Sequence, residues 1–496
     1  MINFSISNRN KWLHGTREYE TMTIYQMLQE NTFAQSAITV LQNATEGSQF
    51  ENNLYIAGGF VRDELLGKPS KDVDIVVDGP PNAGLEAATF IAKKLGVYRE
   101  GSNPVIFPQY YTAKLSIPVD GKTMDVEFVA PRREKYTPGS RHPGVEPGTL
   151  RDDTMRRDFT LNSLLKNLHT GKILDLSGRG LDDLKNGVLN TTGDPDTIFK
   201  DDPLRILRAV RFACKYNFTL PMNVIRSIKR NAASLKNISS ERINDEVNKI
   251  LVLNKPSKAF ELFRATGILG VIMPEMQRLV KLKQNAYHNQ DAFGHSMSVL
   301  DASSPELVKR LGALFHDIGK ASTRTEKDGK VQFIGHADVG EGIARNVMKR
   351  LKYPNDMIDR VANIVKYHMD LKSAGPEATN LKDSTLRKFI YRVGNNLEDI
   401  LSVIDADNVS HAEGHSMPNQ INIIRKKIAN MDVNDILNTK SVLDGNQIAA
   451  LGAKGKMIGS IKERILLKCL ENPGFSVKQA EDLAKNMIRA EKDKQK

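Results

Sequence analysis

Hydrophobic and polar positions change rhythm along the 496-residue chain. Between Asn53 and Leu168 the apolar residues fall in short runs: LYIA (54–57), DVDIVV (72–77), AKLSI (113–117) and MDVEFVA (124–130). Such runs predict strands, with a helix over 85–95 between two of them. Past Asp201 apolar residues recur at three- and four-residue spacing, as in LRILRAVRFA (204–213), which predicts helices over nearly all of the remaining two thirds. Before Asn53 the chain is polar, with one helix predicted near 23–41. The fold class expected is α+β, a small mixed-sheet head followed by an all-helical body. The expected domains are an extension over 1–50, a head over 51–170, a helical region over 171–275, a histidine-rich helical domain over 276–425 and a helical tail over 426–496. The loop over 131–147 is rich in Pro, Gly and Arg and is expected to be mobile.

Composition narrows the class. No apolar run approaches the ~20 residues of a membrane helix, and the first residues hold no apolar stretch of signal-peptide length. The expected location is cytoplasmic. Two cysteines, Cys214 and Cys469, exclude a disulfide framework and a thiolate zinc site. Net charge is +12, from 71 Lys+Arg against 59 Asp+Glu, and a basic surface favours polyanions such as nucleic acid. The tail past Ser476 mixes both signs and is not a polybasic arm.

The run YIAGGFVRDELLGKPSKDVDIVVDG (55–79) carries the first candidate site. A strand ends in Gly58-Gly59 and a helix starts near Phe60. Paired glycines let backbone approach a phosphate closely, and a helix start directs N–H groups at an anion. Arg62 on the first turn would add a charge-assisted bond. Asp72 and Asp74, two apart on a strand, share one face, and two carboxylates there suit Mg²⁺. Asp125 or Glu127, two apart on the next strand, is the candidate third carboxylate. No G-x-x-x-x-G-K-[ST] occurs, so the nucleotide is not held by a P-loop. Arg205, Arg208 and Arg211 recur on one predicted helix, with Asp202 three residues before Arg205 and sharing its face.

GGFVRD followed by KDVDIVV resembles the DNA polymerase β-like nucleotidyltransferases, specifically the bacterial tRNA nucleotidyltransferase and poly(A) polymerase group. RRDFTLNSL (156–164) is similar to the family's ribose- and phosphate-contacting motif, through Arg157, Asp158 and Asn162. DDPLRILRAVRFA (201–213) resembles its base-reading helix, and ERINDEVNKIL (241–251) continues the likeness. LDLSGRGLDDLKNG (174–187) departs from it, with Gly178-Arg179-Gly180 where a double glycine is usual. The resemblance implies a nucleotide site made of Gly58, Gly59, Arg62, Arg157, Asp158, Asn162, Asp202, Arg205 and Arg208, with Asp72 and Asp74 as catalytic, Mg²⁺-binding carboxylates.

Seven of the ten histidines lie between His288 and His415. Among them stands LGALFHDIGKAS (311–322), in which His316-Asp317 follows an apolar helical run that Gly319 is expected to end. With His316 between the first two, His295, His336, His368 and Asp407 fall at intervals of 20 to 39 residues, one per predicted helix. Imidazole and carboxylate without thiolate suit a borderline or hard divalent metal. HDIGK at the centre resembles the HD phosphohydrolase superfamily, which implies His295, His316, Asp317, His336, His368 and Asp407 as metal ligands. HAEGH (411–415) lacks the H-E-x-x-H glutamate position, so His411 and His415 are expected to be structural or exposed.

A nucleotidyltransferase head followed by an HD domain implies an enzyme adding C, C and A to tRNA 3′ ends from CTP and ATP. Its expected partners are tRNA, ATP and CTP, with no membrane. The alternatives are a poly(A) polymerase, an enzyme adding only CC or only A, and an HD phosphohydrolase with an RNA-binding head.

Overall fold

The computed structural model describes residues 33–135, 144–284 and 289–494. The predicted loop over 131–147 falls in part on 136–143, and the first part of the helix predicted near 23–41 on 23–32, outside the described residues. The helix that is described, α1, runs over 33–45. Its buried Ala34, Ala37, Ile38, Leu41 and Ala44 repeat at helical spacing. The described chain divides into two compact units, one ending at Asn237 and one starting at Ile238. Among the described residues no helix is long and apolar enough to cross a membrane.

The first unit is built on β1 (Leu54–Ala57), α2 (Gly59–Leu65), β2 (Val73–Val77), α3 (Ala83–Lys94), β3 (Val105–Phe107), β4 (Thr112–Val119) and β5 (Lys122–Val129). A two-stranded ribbon, β6 (Arg132–Lys135) and β7 (Gly144–Pro147), and α4 (Leu150–Met155) follow. Then come β8 (Leu165–Asn167), β9 (Ile173–Leu174), α5 (Gly180–Asn186), α6 (Pro195–Asp201), α7 (Leu204–Tyr216) and α8 (Met222–Asn231). The sheet order is β3-β4-β5-β2-β1-β8-β9, and β2 runs parallel to β5. Alternation decides its two faces. Val73, Ile75, Leu115, Ile117, Val126 and Phe128 are buried, while Asp74, Glu127, Lys114 and Ser116 stand on the opposite, open face.

The second unit is helical: α9 (Ser240–Leu251), α10 (Ser257–Thr266), α11 (Ile268–Ile272), α12 (Pro274–Gln277), α13 (Ala292–Ala302), α14 (Leu307–Phe315) and α15 (Lys320–Thr323). A hairpin of β10 (Thr325–Lys327) and β11 (Lys330–Gln332) interrupts the helices. Apolar periodicity does not predict it; its signal is Asp328-Gly329, both at positive φ, the chemistry of a tight hairpin turn. After it come α16 (His336–Arg350), α17 (Asn355–Tyr367), α18 (Asp383–Val393) and α19 (Leu397–Val409). The chain continues through α20 (Gln420–Ala429), α21 (Val433–Asn438), α22 (Gly445–Ala450), α23 (Lys456–Glu471) and α24 (Val477–Lys494). The last three helices close a core of their own around Ile448, Ile461, Ile465 and Ala484.

Candidate active site and metal centre

The turn between β1 and α2 brings the first site together. Gly58 has φ 68 and ψ −127, a conformation that side chains disfavour. A Cβ there would lie 3.3 Å from the Arg157 guanidinium and 3.8 Å from Asp74 Oδ2. Turn, arginine and carboxylate therefore converge. Ala57 pairs with Asp74 across β1 and β2, and Asp74 pairs with Glu127 across β2 and β5. Asp72 precedes β2 instead of lying within it, two residues before Asp74.

Asp74 keeps contact with solvent, yet protein surrounds it closely enough that desolvation pushes its pKa up to about 6. Glu127 and Asp72 add to the rise and Arg157 opposes it. Asp74 and Glu127 stand side by side on the open face, with Asp72 near enough to act on Asp74, and carboxylate oxygens are the ligand type a hard cation takes. Of the two candidates on β5, Glu127 is the one beside Asp74. Asp125 is held instead by Lys114 at 2.7 Å and by the Ser116 hydroxyl at 2.6 Å.

The arginines are fixed by acids. Buried Asp153 receives Arg156 at 2.6 Å and Arg157 at 2.9 Å, and Arg156 also reaches Glu134 at 3.0 Å. Burial opposes the Asp153 charge, but the two guanidinium groups outweigh it and hold its pKa below the ordinary value. Arg62 departs from the expected phosphate grip. It is buried, pairs with Asp63 at 2.7 Å, donates to Asn162 Oδ1 at 2.6 Å and packs over the rings of Phe212 and Tyr216. Asn162 donates to Asp158 Oδ1 at 2.9 Å, and Asp158 Oδ2 receives Arg208 at 2.6 Å.

Helix α7 differs from its expected form at one end. Asp202 lies outside it, in extended backbone, so it does not share a helical face with Arg205. The intervening Pro203 is disposed to start the helix rather than to lie within it. Asp202 Oδ1 accepts from the Leu204 N–H at 3.1 Å, while Arg205 donates to the Arg156 carbonyl at 2.9 Å. The arginine stripe is not a solvent face: Arg205 and Arg211 are buried, and Arg211 stacks 4.3 Å from the Phe212 ring centre.

In the second unit α13 carries His295 and α19 carries Asp407, while His316 ends α14, His336 begins α16 and His368 ends α17. The structure brings these residues and Asp317 into one buried cluster. Their donor atoms form two groups, His295–His316–Asp317 and Asp317–His336–His368, each within 4.8 Å and sharing Asp317. Asp407 Oδ1 lies 2.9 Å from His295 Nε2. Gly319 does not end a helix as expected: α14 stops at Phe315 and Gly319 precedes α15. A Cβ on Gly319 would lie 2.1 Å from the His336 carbonyl, so glycine is there for close backbone approach.

The donor set fits divalent metal. His316, His336 and His368 each place Nδ1 within 2.8 Å of a backbone carbonyl, of Ala313, Phe333 and Val365. A proton on Nδ1 at each contact leaves Nε2 a lone pair for a metal; without metal, burial opposes the His316 charge but Asp317 outweighs it and raises the His316 pKa. The Nε2 atoms of His336 and His368 then face each other at 3.2 Å, and buried His316 Nε2 has no hydrogen-bond partner. A cation satisfies all three. Burial, followed by His316 and His336, lowers the His368 pKa to about 3, which keeps it neutral and able to ligate.

Several residues were not anticipated. Asp153 follows from i+3 and i+4 spacing to Arg156 and Arg157. Lys320 meets Asp317 at 2.6 Å, and Lys372 meets Asp407 and, at 3.2 Å, His411 Nε2. No sequence signal marks Lys372. His411 packs against this cluster while His415 is exposed.

Three family descriptions match in order: a poly A polymerase head domain over 54–190, a probable RNA and SrmB-binding site of polymerase A over 217–279, and an HD domain over 293–407. The CC-adding tRNA nucleotidyltransferase of Thermus thermophilus is 32% identical over 367 residues, 71% of this chain and 75% of the relative. The mitochondrial CCA tRNA nucleotidyltransferase of Saccharomyces cerevisiae is 29% identical over 469 residues, 85% of each. The crystal structure of the Bacillus stearothermophilus CCA-adding enzyme in complex with CTP shares the fold, with a TM-score of 0.62 at 19% identity over 93% of this chain and 98% of that one. With 32% identity to the Thermus enzyme over more than two thirds of both chains, and the head and HD descriptions matched in order along it, the chain belongs to the tRNA nucleotidyltransferase family.

Proposed function

We propose that the protein adds C, C and A to tRNA 3′ ends from CTP and ATP, without a nucleic-acid template, releasing pyrophosphate. One observation carries this reading: Asp74, Glu127, the Gly58 turn and Arg157 meet at one point, beside the segment that holds Arg205 and Arg208. The terminal ribose oxygen attacks the α-phosphorus, the bond to the bridging oxygen breaks, and pyrophosphate leaves. Asp72, Asp74 and Glu127 would hold Mg²⁺, which supplies charge neutralisation and a lowered hydroxyl pKa. Arg157, fixed by Asp153, faces the triphosphate from across the Gly58 turn. Asp202 and Arg205 read the base.

The clamp on tRNA works through phosphates and helix shape more than sequence. The HD cluster supports a second, metal-dependent phosphohydrolase activity, with the divalent ion held by His295, His316, Asp317, His336, His368 and Asp407; such an ion activates water against a phosphate. A cytoplasmic location fits Cys214 and Cys469, which are not disulfide-bonded.

Addition of CC alone is the second reading, because the Thermus relative is named for it. Incubation with tRNA lacking its 3′ CCA and each labelled NTP, followed by sequencing of the products, decides. CCA ends support the proposal, CC ends the narrower enzyme, and A-tracts a poly(A) polymerase.

A further inference from the structure

The open face of the sheet does not stop at the carboxylates. Asp74 pairs with Glu127, Glu127 with Lys114, and Lys114 with Val105, so one row crosses β2, β5, β4 and β3. Directly paired residues project to the same face. The neighbouring row, Val129–Thr112–Phe107, lies on that face too. The row ends on the edge strand β3, whose three residues Val105-Ile106-Phe107 carry no charge or proline. Val105 is 40% exposed, Phe107 38% and Tyr110, just beyond the strand, 36%.

We propose that this strip is a landing platform for single-stranded RNA, on which a base next to the 3′ end stacks against Phe107 while the terminal ribose reaches Asp74. The proposal rests on the nucleotidyltransferase reading given above. Continuity of the face favours RNA over other occupants. Three inter-strand spacings put β3 about 14 Å from Asp74, the reach of a short single strand. Lys114 pairs with Asp125 and so removes a charge that would repel the phosphates along the way. An aromatic ring takes any base, as an enzyme that extends a growing end requires, because every base has a π-face.

The test is RNA binding by the full chain, read by fluorescence anisotropy with a short single-stranded RNA, in wild type and in Phe107→Ala and Phe107→Trp. Phe107→Ala should weaken binding roughly tenfold or more and Phe107→Trp should restore it. Melting temperature and KM for the NTP should stay as in wild type. RNAs with one abasic nucleotide at each of the last three positions should include one that weakens wild type but not Phe107→Ala. Unchanged RNA affinity in Phe107→Ala overturns the platform. So does a wild-type dimer, seen by light scattering, that Phe107→Ala dissolves, since the strip would then cover a second copy. Binding is read without catalysis, so a wild type that binds RNA through Phe107 yet adds no nucleotide contradicts the function, not the platform.

Discussion

Arg208 on α7 and Asp158 on the segment after α4 are joined by two nitrogens on one oxygen, at 2.6 and 2.7 Å. The pair closes a relay. Asp158 holds Asn162, Asn162 holds Arg62, Arg62 holds Asp63, and Asp63 accepts the Tyr216 hydroxyl at 2.9 Å, back on α7. Helix α7, which carries Arg205, is thus tied at two points to the helix that follows the glycine turn. Burial opposes the Asp158 charge, but Arg208 outweighs it and holds the carboxyl below its ordinary pKa. Asp158→Ala removes the acceptor shared by Arg208 and the Asn162 amide and should cost about 3 kcal/mol, the low end for a broken buried pair because Arg208 retains 33% exposure. Hydrogen exchange of α7 amides should then speed up by about 100-fold, while α13–α19 exchange as before.

In the proposed function, Asp202 and Arg205 choose the base. Cytosine and adenine each present an amino donor beside a ring-nitrogen acceptor, and uracil and guanine the reverse. A carboxylate and a guanidinium match the first pair only. Each buried mismatch costs about 1–3 kcal/mol, so two give ~10²-fold or more against UTP and GTP. Arg205→Ala should lower CTP and ATP use and shrink that gap. Incorporation efficiencies for all four NTPs in Asp202→Ala and Arg205→Ala measure it, and unchanged discrimination in both returns the pair to a helix-start contact.

Much of this site is legible in the chain because its determinants are local. LYIA gives β1, Gly58-Gly59 gives the turn, and DVDIVV gives β2 with Asp74 on its open face, while Asp72 falls just before the strand. What escapes is what the tertiary fold decides. Arg62 has the position of a phosphate ligand, but the rings of Phe212 and Tyr216 arrive from 150 residues away and bury it. The choice of Glu127 over Asp125 needs the β2–β5 register, which periodicity does not contain. In the second unit HDIGK and the spaced histidines announce a metal centre. That Asp317 belongs to two donor groups is visible only once four helices and their ends converge.

Asp74 carries a pH signature. Its folded pKa is raised to about 6, so without metal it becomes protonated as pH falls through about 6, well above the ordinary carboxylate range. The raised value means that stability is lost as pH rises from the ordinary carboxylate range through about 6, and a divalent ion held there would relieve the cost. Side-chain carboxyl NMR of metal-free protein should show one aspartate titrating near pH 6. Glu127→Gln should move that midpoint down, because Glu127 is the second cause of the rise. A midpoint unmoved by Glu127→Gln would remove Glu127 from the causes of the rise.

The two sites are built from different segments, so they should fail separately. His316→Ala combined with Asp317→Ala removes donors from both groups of the histidine cluster. Metal content by mass spectrometry should fall in the second unit, together with any metal-dependent phosphatase or phosphodiesterase activity. Nucleotide addition should persist; its loss in a folded protein contradicts the modular account.

The most direct test removes the carboxylates of the open face. Asp72→Ala with Asp74→Ala should leave tRNA binding within about twofold of wild type and abolish incorporation from CTP and ATP onto tRNA lacking its 3′ end, a fall of several orders of magnitude in single-turnover rate. Addition at a near wild-type rate in that double variant would contradict the assignment of Asp72 and Asp74 as the catalytic pair.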